Sequence, residues 1–153
     1  MENVVVDTIN LIGGADIHFC LACNVTGCGT DKCSLSKDKG GLYGFAIKLP
    51  DDKERERFFN EHNANKKMKH YDDWKTIGDD YYPLYWGKDA DLGFRLREHI
   101  KFQQSAPSIG LDLRPYLKGK KIICGALFCY NRKRNEDKLH SAYPDIFKVF
   151  KGI

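Results

Sequence analysis

The most regular pattern of apolar and polar positions lies in residues 81–100. Tyr81, Tyr82, Leu84, Tyr85 and Trp86 are side chains that suit a pleated surface, so they predict a strand, which Gly87 ends. Leu92, Leu96 and Ile100 then recur at every fourth position, the stripe of a buried helix face. Asp89 or Asp91 can cap that helix. Arg95 and His99 share the same spacing and stand one above the other. Upstream, Gly40-Gly41 opens a segment in which Tyr43, Phe45, Ile47 and Leu49 alternate, which predicts a strand with one buried face. Pro50-Asp51-Asp52 ends it and caps a charged helix whose main apolar residues are Phe58 and Phe59. Ile122-Ile123-Cys124-Gly125-Ala126-Leu127-Phe128-Cys129-Tyr130 is apolar on both faces and predicts a central strand, with Cys124 and Cys129 as core residues. The basic turn Asn131-Arg132-Lys133-Arg134 leads into a helix on which Leu139 and Tyr143 pack, and Pro144 turns the chain. Val4-Val5-Val6 is a short strand or a helix start, and Gly13-Gly14 breaks it.

A chain of 153 residues makes one domain with at most a small appendage, and a formal charge of +4 permits a nucleic-acid partner without requiring one. Met1-Glu2-Asn3 is not a basic leader and no apolar run is long enough to span a bilayer, so the expected location is intracellular: cytoplasmic, or nuclear in a eukaryote. There the 6 cysteines are expected as thiols or metal ligands rather than disulfides. Cys20, Cys23, Cys28 and Cys33 follow a C-x2-C-x4-C-x4-C spacing with glycines between them. Thiolates on so tight a loop can converge on a tetrahedral ion. The spacing is similar to a zinc knuckle, with Gly27 in place but Cys28 where the knuckle has a His. Zinc and a loop of free or oxidised thiols both fit. Lys66-Lys67-Met68-Lys69-His70 is either a phosphate contact or a solvated face.

Tyr85-Trp86-Gly87, followed by Arg95 and His99, resembles the second half of the GIY-YIG nuclease signature. Gly41-Leu42-Tyr43 is similar to the first half, and Glu136 falls where that family carries a Glu on a helix after its third strand. The resemblance covers about residues 41–150. It implies an α/β fold: a small, mostly antiparallel three-stranded central sheet flanked by helices. Residues 1–39 are then a Cys-rich N-terminal extension, and residues 40–153 the nuclease-like domain. The signature strands of most of the family form a short hairpin, whereas here an insertion at about residues 51–80 separates them. The Asn that often follows the family's Pro is missing after Pro144.

The activity implied is metal-dependent hydrolysis of phosphodiesters, with DNA preferred over RNA. Glu136 would hold Mg2+ or Mn2+, hard ions that favour carboxylate oxygen. Arg95 would grip the phosphate through its planar fork. Tyr43 inherits the role of general base, Tyr85 would orient water or phosphate, and His99 could relay a proton. Lys88 and Arg97 are the candidate substrate contacts. All four of Tyr43, Tyr85, Arg95 and Glu136 are expected on one concave surface. The rival from another class is an inactive nucleic-acid-binding or adaptor module with the same fold and a zinc-bound Cys cluster. A chance match in an unrelated zinc-bound α/β protein is a third reading. No membrane partner is expected, and the oligomeric state is open.

Overall fold

The segment 41–47, expected to bury one face, is apolar or small at successive positions and buries both, and the described helices pack to one side of it or the other. The computed structural model describes residues 4–13, 21–24, 41–89, 120–128 and 131–148. In chain order these form α1 (Val4–Gly13), β1 (Leu21–Asn24), β2 (Gly41–Lys48) and α2 (Asp52–His62). A 3-10 turn (Tyr71–Asp73), β3 (Tyr81–Asp89), β4 (Ile122–Phe128) and α3 (Arg132–Ala142) follow. The sheet order is β1-β4-β2-β3, with every pair antiparallel. Among the described residues the strand of Gly41-Leu42-Tyr43 is therefore interior and the strand of Tyr85-Trp86-Gly87 is an edge.

One side of the sheet collects Tyr43, Phe45 and Ile47 of β2, Tyr85 of β3, and Cys124 and Ala126 of β4. Phe58 and Phe59 of α2, Met68 and Trp74 belong to the same core, so the inserted segment forms its cover. The other side joins Leu42, Ala46 and Trp86 to Val5, Val6 and Ile9 of α1 and Leu139 of α3. Helix α2 starts at Asp51, whose carboxylate accepts from the backbone N–H of Lys53 at 2.8 Å and Glu54 at 3.2 Å. Arg55 fastens this helix to the rest of the insertion. Its guanidinium lies 4.8 Å from the Tyr71 ring and 5.2 Å from the Tyr82 ring, and it donates to the Tyr82 hydroxyl at 3.0 Å.

Several expectations from sequence are corrected here. The small antiparallel sheet expected is present as β4-β2-β3, and among the described residues one short strand, β1, which carries Cys23, is added beside β4. Residues 4–13, expected as a short strand or a helix start, form a helix that packs Val5, Val6 and Ile9 against the sheet. Gly87 does not end its strand, because β3 runs on to Asp89 in register with Gly41. The basic run Arg132-Lys133-Arg134 is the first turn of α3, not a loop before it.

Gly87 has a different task. Tyr43 faces it across β2 and β3, and a Cβ there would lie 2.4 Å from the Tyr43 Cζ and hydroxyl oxygen. Only the missing side chain lets the phenol lie over the edge strand. Gly87→Ala is expected to lower stability by about 1–3 kcal/mol, the usual range for overpacking, measured by urea denaturation. An unchanged midpoint would mean that Tyr43 does not rest there.

Candidate functional site

The two signature strands are neighbours despite the long insertion between them. Tyr43 and Tyr85 stand on the same side, their ring centroids 6.2 Å apart with planes tilted by 41°. Tyr43 is 1% exposed and Tyr85 half-buried. Arg95, Arg97 and His99 lie outside the described residues. Lys88 is exposed and alternates with the buried Tyr43-facing Gly87, so it falls on the side of Trp86 and α3.

Helix α3 begins unusually. Its N-cap residue Asn131 is left-handed (φ 54°) and makes no side-chain capping bond. Arg132, Lys133 and Arg134 fill a first turn without any acid, where the helix dipole disfavours cations. These three, Lys88 and Lys138 line an open groove of about 1190 Å³. The acid in its wall, Asp137, is bonded to Lys133 at 3.0 and 3.2 Å, and that hydrogen bond lowers the Asp137 pKa and raises that of Lys133. The groove is therefore rich in cations and suited to phosphate oxygens.

Glu136 is not in the groove wall. Its Oε1 lies 3.2 Å from Nε2 of His140, one turn further along the helix. Nδ1 of His140 lies 2.6 Å from Oδ1 of Asp145. Asp145 is fully buried, and its Oδ2 accepts from the backbone N–H of Trp86 at 3.2 Å. A chain of polar contacts thus runs from Glu136 to the β3 backbone. Burial opposes the charged imidazole, but the bonds to Asp145 and Glu136 and the Asp145 charge outweigh it, and the His140 pKa is raised. When protonated, the ring donates from both nitrogens. Sequence reasoning missed His140 and Asp145. The signal was the four-residue spacing of Glu136 and His140 and the acid directly after Pro144.

Of the four residues expected on one concave surface, Arg95 lies outside the described residues, and the other three do not share one side of the sheet. Tyr43 and Tyr85 belong to the core under α2, whereas α3 packs Leu139 with Trp86 and Leu42 on the opposite side of the sheet. The phenols and Glu136 approach the same edge strand from its two faces. Tyr43 reaches it at Gly87, and Glu136 through His140 and Asp145 at Trp86.

Among the described residues, no group of three or more His, Cys, Asp and Glu side chains is arranged to hold a metal ion. Glu136 alone still suits Mg2+, which is often held by one carboxylate with water and substrate phosphate completing its shell. Its side chain is 20% exposed and Oε2 has no hydrogen bond or ion pair among the described residues. At the N-terminal cluster, Cys20, Cys28 and Cys33 lie outside the described residues, and Cys23 is placed by its backbone, opposite Cys124. Cys124 is buried as expected of a core residue, but it is disulfide-bonded rather than a free thiol.

Comparison with family models, with curated proteins and with solved structures finds no match to this chain. No helix among the described residues is long and apolar enough to cross a membrane.

Proposed function

We propose that this chain is a metal-dependent endonuclease that hydrolyses phosphodiester bonds, with DNA as its substrate. The observation that carries the reading is the β2–β3 register, which seats the Tyr43 phenol on Gly87 beside Tyr85. The groove at α3 supports a nucleic-acid partner, because Lys88, Arg132 and Arg134 would hold phosphate oxygens there. In this reading Tyr43 is the general base. Tyr85 orients water or phosphate, Arg95 grips the phosphate, His99 relays a proton and Arg97 adds a substrate contact. A Mg2+ ion held by Glu136 would act as Lewis acid toward the phosphate. Zinc at Cys20, Cys23, Cys28 and Cys33 belongs to the same proposal, with one limit: a sulfur tied up in a disulfide is not a ligand.

The second reading, a nucleic-acid-binding module without chemistry, is favoured by one observation. Tyr43 is buried on the side of the sheet opposite α3. Supercoiled plasmid incubated with the purified chain separates the two. Nicking or linearisation in Mg2+ that EDTA stops is the expected result. Binding without cutting under Mg2+ or Mn2+ would establish the binding module.

A further inference from the structure

The Glu136 carboxylate is not left to find its own orientation. Its Oε1 is engaged by Nε2 of His140 at 3.2 Å, and its Oε2 is uncommitted among the described residues. His140 could not swing with it, because Nδ1 is tied to Asp145 at 2.6 Å and the side chain is only 7% exposed. Asp145 in turn is anchored twice. Its Oδ2 accepts from Trp86 N at 3.2 Å, and its carbonyl accepts from Asn65 Nδ2 at 2.9 Å. Next to it, the indole N–H of Trp86 donates to the Tyr143 carbonyl at 2.8 Å. A ligating carboxylate that is itself hydrogen-bonded binds a metal better, since the bond fixes its rotamer before the ion arrives.

We propose that His140 is the positioning residue for Glu136: braced by Asp145 against the β3 backbone, it holds Oε1 and presents Oε2 as the single oxygen for a divalent cation. The inference rests on the reading of Glu136 as the metal-holding carboxylate. It adds that the metal site extends to His140 and Asp145, neither of which touches the ion.

The test is Mn2+ binding to the full chain, followed by the loss of the free-ion electron paramagnetic resonance signal, with no need for cleavage. His140→Ala should weaken Mn2+ by about 10–100-fold, and His140→Gln, which keeps one donor, by less. Glu136→Ala should remove the site. Unfolding midpoints of each variant accompany the titration, and if His140→Ala does not fold, His140→Gln decides. Wild-type affinity in a folded His140 variant, with only its stability reduced, would overturn the proposal and leave the metal reading of Glu136 standing. Absence of Mn2+ binding by wild type, or binding that survives Glu136→Ala, would remove the metal reading itself and this proposal with it.

Discussion

Asp145→Ala is expected to cost about 3–5 kcal/mol of stability, the range for stripping one partner from a buried charged pair. The carboxylate is fully buried, and its loss leaves the His140 imidazole and the Trp86 N–H without the acceptor they share. Asp145→Asn keeps one acceptor oxygen, for Trp86, and puts an NH2 donor against His140 in place of the other, so about 1–3 kcal/mol is expected. Urea denaturation of the three proteins at one pH gives the comparison. Equal stability of wild type and Asp145→Ala would place Asp145 outside the core. The same contacts set a pH dependence. The His140 pKa is raised above its ordinary 6.5, so the folded state favours the protonated ring. That contribution is complete below about pH 6.5 and fades as pH rises through the folded value. Wild type should therefore lose more stability than His140→Gln does as pH rises above about 6.5.

Glu136→Ala should abolish cleavage, a loss of roughly a thousandfold or more if Glu136 holds the metal. Affinity for DNA should stay nearly intact or rise, because the substitution removes a negative charge close to the cations of α3. Tyr43→Phe removes only a hydroxyl and is expected to slow cleavage by roughly a hundredfold if the phenol is the base. Lys88→Glu should act differently, weakening binding and flattening its salt dependence. Cleavage rate and DNA affinity, measured across salt for these variants, distinguish the roles. Cutting at the wild-type rate by Glu136→Ala would end the metal-holding role.

What was legible in the sequence was local. Period-two alternation located β2, and the continuous apolar run located β4, because burial on one or both faces writes itself directly into residue type. Glu136 was placed on a helix correctly. The face of the sheet that each element would cover was not legible. Nothing in Leu139 or Trp86 as letters says that α3 shares its layer with α1 and not with Tyr43. β1 was missed because Leu21-Ala22-Cys23-Asn24, inside a run of spaced cysteines, reads more readily as a loop than as a strand, and its pairing with β4 defines it. The extent of β3 was misjudged for a related reason. A glycine was read as a stop, when its missing side chain is the space that Tyr43 fills.

The strand order has a consequence for how the molecule comes into being. Leu21 pairs with Ala126, so β1 emerges from the ribosome long before β4, its partner among the described residues, exists. Contacts this remote in sequence slow folding, since the intervening chain must be closed before they contribute. β2 and β3 meet earlier, over a shorter span that the insertion fills with its own helix. During synthesis the edge of β2 that β4 later occupies is therefore unpaired, and so is the cysteine-bearing strand that β4 will join. The nascent chain carries exposed sheet edges until β4 arrives and closes both at once, the interval in which chaperones would find it.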